Sequence, residues 1–299
     1  MHRKLKIYGI LTSIGILIVL LQGALVTKTG SGEGCGATWP LCFGEVIPTS
    51  PAIETIIEYS HRIVSGLVGA MIIVLAIWSW KQLKHVKEAR LMAILSVILI
   101  IFQGLLGAGA VVFGQSNTIL ALHFGISAMS LASVVLLTIL SFEDGKDRPV
   151  TVHVTKRFKA FFFIVITYCY AVIYTGAYVK HTEATLSCAG FPLCNGQLFP
   201  GLTGPVGAHF IHRIAGILLL ILLFVMMVWV LRHYKTQRLL VWISVICFLL
   251  VTAQLISGVS VVFTQNQILT IGLMHALIIS TLFSALCYLA MILLRKRAY

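Results

Sequence analysis

The chain has 299 residues, 59% hydrophobic and only 10% charged, with 22 Lys and Arg against 9 Asp and Glu, a net charge of +13 and a mean hydropathy of +1.00. A soluble globular chain carries about 25% charged residues, so a water-facing enzyme and a disordered chain are both excluded. The apolar residues fall in blocks of about 20, the length a helix needs to cross a bilayer, and the expected fold is an all-α polytopic membrane protein.

The first block, 8–27, follows Arg3, Lys4 and Lys6. A basic start before an apolar run imitates a signal peptide. This run is too long, however, and Thr27-Lys28-Thr29 is not a small-residue cleavage site. It reads as an uncleaved first span. A long loop with Cys35 and Cys42 precedes spans at 60–80, 91–113 and 119–140. After a stretch at 142–159 that holds Pro149 and several charges comes a span at 160–179. A second long loop with Cys188 and Cys194 leads to spans at 210–231, 239–263 and 271–293.

Successive connectors of these eight spans alternate sides. One side collects 18 of the 22 basic residues, including Lys146, Arg148, Lys296 and Arg297; only Lys28, Arg62, Lys180 and Arg213 lie on the other. The positive-inside rule puts both termini in the cytoplasm and both long loops outside the cell membrane. The excess charge is topology. No basic domain exists to hold nucleic acid, and the surrounding partner is lipid.

The two halves repeat. Gly23-Ala24 and Cys35 match Gly176-Ala177 and Cys188; Trp39-Pro40-Leu41-Cys42 matches Phe191-Pro192-Leu193-Cys194. His61-Arg62 matches His212-Arg213, Gln103 matches Gln254 and His123 matches His275, all at offsets of 151 to 153. The expected architecture is therefore two tandem four-helix bundles related by a pseudo-two-fold along the membrane normal. Residues 1–141 form the N-terminal unit, 142–159 a cytoplasmic linker and 160–299 the C-terminal unit.

Cys169, Cys247 and Cys287 sit within spans and read as packing residues. The loop cysteines lie in an oxidising compartment, with six and five residues between them, which favours disulfides Cys35–Cys42 and Cys188–Cys194 over metal binding. A redox role for either pair stays open.

His61, His123, His212 and His275 fall in the first residues of the second, fourth, sixth and eighth spans, all of which start on the outer side. A lone intramembrane histidine is commonly a hydrogen-bonded interfacial residue. Four at equivalent positions, paired by an internal repeat, point to a site. Two neutral imidazoles from separate helices of a bundle suit the axial positions of a haem iron, whereas zinc asks for more ligands. Arg62 and Arg213 follow ligand candidates and read either as partners of haem propionates or as snorkelling interfacial residues.

The glycine-rich runs 66–70 and 104–109 fit close helix packing, and Gln22, Gln103 and Gln254 fit interhelical hydrogen bonding. One position breaks the repeat: Glu58 lies three residues before His61, where the second unit has His209 before His212. Two readings stand for Glu58, a catalytic carboxylate on the histidine's face and an exposed acid of the loop.

Taken together, Glu58-Tyr59-Ser60-His61-Arg62, His123, His212-Arg213, His275 and the two cysteine loops resemble the haem A synthase family over essentially the whole chain. The resemblance implies an oxidoreductase of cytochrome oxidase assembly that oxidises the haem O methyl to a formyl in two oxygenation steps, via an alcohol. It implies a substrate haem O held by His61 and His123, a haem b cofactor held through its iron by His212 and His275, and Glu58 as the catalytic residue. Candidate partners are the farnesyltransferase that makes haem O and a membrane electron donor. The alternative is a di-haem b-type cytochrome that relays electrons from quinol. A transporter and a thiol–disulfide oxidoreductase are weaker readings.

Overall fold

The computed structural model describes residues 2–49, 51–144 and 150–295. Among them eight long helices follow in order: α1 (Arg3–Thr29), α2 (Ile53–Gln82), α3 (Lys87–Val112), α4 (Asn117–Glu143), α5 (Lys156–His181), α6 (Gly204–His233), α7 (Arg238–Phe263) and α8 (Leu269–Leu294). No β-strand occurs among the described residues, and all eight helices are long and apolar enough to cross a membrane. Their outward faces are apolar too. On α3, Leu91, Ile94, Ile98, Ile101, Phe102 and Leu105 are all exposed, a surface that only lipid can cover at low cost. The chain is a multi-pass helical membrane protein.

The helices outrun their hydropathy blocks. Glu54, Glu58 and Tyr59 lower the local hydropathy ahead of residue 60, yet the backbone is helical from Ile53. The histidines consequently do not open their helices. His61 and His212 are the ninth residues of α2 and α6, and His123 and His275 the seventh of α4 and α8. At about 1.5 Å per residue they lie roughly 9–12 Å inside the helix ends.

Two compact units divide the chain, Met1–Asp147 and Arg148–Tyr299. In unit one, α1 packs against α2 and α4, and α3 packs against the same two helices. In unit two, α6 and α8 each pack against both α5 and α7. The histidine-bearing helices, α2 with α4 and α6 with α8, thus occupy diagonal corners of their bundles.

Polar contacts stitch neighbours together where side chains are small. The Thr138 hydroxyl of α4 donates to the Gly9 carbonyl of α1 at 3.1 Å, and a Cβ on Gly9 would lie 2.9 Å from that hydroxyl oxygen. Tyr8 of α1 donates to the Met71 carbonyl of α2, and Tyr168 of α5 to the Ala215 carbonyl of α6. The glycine runs are only partly packing devices. Gly69 faces Ile100 at ordinary contact distance, but a Cβ on Gly66 or Gly104 would meet nothing within 4 Å.

Thr155 caps α5 by accepting from the Phe158 N–H, and His153 exchanges two backbone hydrogen bonds with the Gln237 side chain between α6 and α7. Of the basic residues in the charge asymmetry, Lys146, Arg148, Lys296 and Arg297 lie outside the described residues. Cys169 and Cys247 are buried free thiols and Cys287 is half-buried.

The α1–α2 and α5–α6 loops share one construction. Each opens on a short 3₁₀ turn, Ser31–Glu33 and Ala184–Leu186. Each closes a disulfide, Cys35–Cys42 and Cys188–Cys194, as expected from their spacing. An antiparallel bridge then pairs Cys42 with Glu45 and Cys194 with Gln197.

Candidate functional site

In unit one the site is built on α2. Residues three and four apart on a helix share a face, so Glu58 neighbours both His61 and Arg62. Glu58 is only 4% exposed and belongs to the helix, which removes the reading of it as an exposed loop acid. Its Oε1 accepts from Arg62 Nε at 3.0 Å and from Arg62 Nη2, and its Oε2 accepts from the Cys35 backbone N–H at 2.8 Å. Arg62 Nη1 donates onward to the carbonyls of Thr38 at 2.7 Å and Leu41 at 2.9 Å. An ion pair on α2 therefore grips the disulfide loop from both ends.

Unit two repeats the grip with a neutral residue in the acid's place. Arg213 Nε donates to His209 Nε2 at 3.2 Å, Nη1 to the Gly190 carbonyl at 2.8 Å, and Nη2 to the Cys188 carbonyl. Arg62 and Arg213, read from sequence as propionate partners or snorkelling residues, are thus clamps on their loops. Four donor contacts of each guanidinium are committed in this way.

All four histidines are half-buried and lean on a glycine of the preceding helix. A Cβ on Gly23 (α1) would lie 3.4 Å from His61 Cε1, and one on Gly107 (α3) 3.6 Å from His123 Cε1. In unit two the seats are tighter: 2.9 Å from Gly176 (α5) to His212 Cε1 and 3.1 Å from Gly258 (α7) to His275 Cε1. In unit two a side chain at either glycine would press on the ring, whereas a Cβ on Gly23 or Gly107 would make only ordinary contact.

Ring hydrogen bonds separate the units further. His212 Nδ1 lies 2.8 Å from Thr175 Oγ1, and His275 Nδ1 lies 2.8 Å from Ser257 Oγ. In unit one His61 Nδ1 is buried with no hydrogen-bond partner among the described residues. The glutamines behave as interhelical bonders. Gln103 Nε2 donates to the His123 backbone carbonyl at 2.9 Å, while Gln254 Nε2 lies 2.9 Å from His275 Nε2. Gln22 of α1 has its Oε1 buried and unpartnered.

The donor set fits haem iron. Each unit places two half-buried imidazoles on diagonal helices, each ring edge against the backbone of a glycine on a neighbouring helix. Among the described residues no group of three or more His, Cys, Asp or Glu could hold a metal ion. Sequence reasoning singled out the histidines, Glu58, the arginines and the cysteines. It missed Thr175 and Ser257, and it noticed Gly23, Gly107 and Gly176 without their role. The signal was present: one residue before each shared glycine, unit two carries Thr175 and Ser257 where unit one carries Gln22 and Leu106.

Comparison with known proteins agrees with this construction over the whole length. The chain is 72% identical over 295 residues to a haem A synthase of Alkalihalophilus pseudofirmus, covering 99% of each chain. It is 68% identical over 298 residues to one of Halalkalibacterium halodurans, covering both chains completely, and 56% identical over 300 residues to one of Shouchella clausii. The family model described as cytochrome oxidase assembly protein matches residues 6–287. With the paired histidines and twin disulfide loops in place across that span, the chain belongs to the cytochrome oxidase assembly protein family.

Proposed function

We propose that this chain is an oxidoreductase that converts haem O to haem A. Its substrate's methyl group is oxidised in two oxygenation steps, to an alcohol and then to the formyl. The observation that carries the reading is the histidine pair at diagonal corners of each bundle, in a chain 56–72% identical to full-length relatives named haem A synthase. Haem O binds in unit one between His61 and His123. A resident haem b binds in unit two between His212 and His275. The charge asymmetry of its connectors supports a place in the cell membrane with both termini in the cytoplasm.

Haem iron supplies the redox chemistry when bound, and the chain's own residues set the stage for it. His61 and His123 would hold the substrate macrocycle. Glu58 lies one helical turn from His61, where a carboxylate can accept a proton released from the reacting methyl or steady positive charge that develops there. Arg62 and the Cys35 N–H hold that carboxylate at a fixed place, which removes the cost of orienting it during reaction. The disulfide loops are fastened to the histidine-bearing helices through Arg62 and Arg213. The farnesyltransferase that makes haem O and a membrane electron donor are the partners this reaction asks for.

The test is direct. Membranes with and without this chain are supplied with haem O, and the extracted haems are identified by mass. Haem A appearing only with the chain is the expected result; two unaltered haems and no formyl product would instead favour an electron-relaying cytochrome.

A further inference from the structure

Both unit-two hydroxyls spend their proton locally. Thr175 Oγ1 donates to the Val172 carbonyl at 2.8 Å, and Ser257 Oγ donates to the Gln254 carbonyl at 2.9 Å. A hydroxyl has one proton to give, so with that proton on the carbonyl each oxygen accepts from the imidazole. His212 and His275 then carry their proton on Nδ1 and turn the lone pair of Nε2 outward, which on His275 the Gln254 side chain meets. The Gln254 amide nitrogen stands 2.9 Å from His275 Nε2, a contact that iron at this nitrogen would replace. Iron binds imidazole through such a lone pair, and the partner of the opposite nitrogen sets both the tautomer and the ligand's basicity.

Unit one lacks the device. Leu106 replaces Ser257 and cannot hydrogen-bond; Gln22 replaces Thr175, and neither Gln22 Oε1 nor His61 Nδ1 finds a partner. The glycine seats run in parallel, 2.9 and 3.1 Å in unit two against 3.4 and 3.6 Å in unit one. One pair of histidines is locked in rotation and tautomer, and at least His61 of the other pair is not locked by a ring hydrogen bond.

We propose that Thr175 and Ser257 are positioning residues that make unit two the haem-retaining half of the protein, and that their absence from unit one lets its haem exchange. A substrate must leave as product after each turnover, while a cofactor must stay, and the hydroxyls separate these two demands within one duplicated fold. The inference rests on the ligand assignment made under Proposed function.

The experiment follows haem loss from the purified full-length protein in detergent to excess apomyoglobin, together with the midpoint potential of the haem that remains. Thr175→Val and Ser257→Ala each keep the size of the site and delete the acceptor. Both should lose haem about 10–100-fold faster, the usual cost of removing such a partner. The remaining haem should shift to higher potential, because a less basic imidazole stabilises ferric iron less. Thr175→Ser restores the acceptor and should return both readouts. Loss rates within about twofold of the unsubstituted protein, or no rescue by serine, would overturn the proposal. His212→Ala and His275→Ala run alongside: if they retain haem normally, the ligand assignment itself fails, whereas their loss of haem with silent hydroxyl variants sinks only the inference drawn here.

Discussion

Glu58 and Arg62 stand one turn apart on α2, and their buried ion pair fastens the Cys35–Cys42 loop to the helix that carries His61. Unit two fastens its loop through Arg213 and the neutral His209. The two clamps have the same shape but different electrostatics, and this difference sets how each fails.

Removing one partner of a buried ion pair strands the other charge and costs about 3–5 kcal/mol. Arg213→Ala leaves no stranded charge, only unpaired carbonyls and a ring nitrogen, at about 1–3 kcal/mol. Arg62→Ala should therefore lower the thermal midpoint of the detergent-solubilised protein more than Arg213→Ala does. Equal shifts would show that the Glu58 charge adds nothing to the grip.

Glu58→Gln keeps an oxygen for the Cys35 N–H and deletes the charge. The variant should fold, keep its unit-two haem and lose formyl product by about 10²–10⁴-fold, the usual range for a general base. Mass analysis of extracted haems should find unreacted haem O or the alcohol. A haem A yield like that of the unsubstituted protein would leave Glu58 with its clamping role alone.

Replacing His212 or His275 should abolish the resident low-spin haem spectrum. Replacing His61 or His123 should leave that spectrum and stop product formation. Identical spectral effects from all four substitutions would refute the division into a substrate unit and a cofactor unit.

A non-reducing peptide map should recover Cys35 with Cys42 and Cys188 with Cys194, with Cys169, Cys247 and Cys287 free. Each short closure contributes about 2–4 kcal/mol. Cys188→Ala should speed haem loss from unit two without removing a ligand, because the Arg213 clamp loses the loop it holds. Four free loop thiols in membranes kept from reductant would contradict this.

The eight spans, the two disulfides and the four histidines were legible in the sequence, because hydropathy blocks, loop spacing and an internal repeat each leave a one-dimensional trace. Helix starts were less legible. The turn that holds Glu54, Glu58 and Tyr59 is polar, and hydropathy stops where the apolar zone does, while α2 continues back to Ile53. Nor could spacing show that the Glu58 carboxylate reaches the Cys35 N–H, a contact spanning 23 residues through a folded loop. Thr175 and Ser257 pass for small polar residues in apolar helices until a ring nitrogen is found beside each.

Every contact that orients His61 described above arises within α1, α2 and the loop joining them, and those of His212 within α5, α6 and their loop. His123 and His275 depend in the same way on α3 with α4 and on α7 with α8. Each antiparallel hairpin is thus a finished half-socket. During biogenesis, hairpins that enter the membrane one after another would each arrive with its histidine already seated. A ligand that needs two imidazoles can be captured only once the second hairpin of a unit is in place, so its arrival reports completed assembly and mortars the two hairpins together.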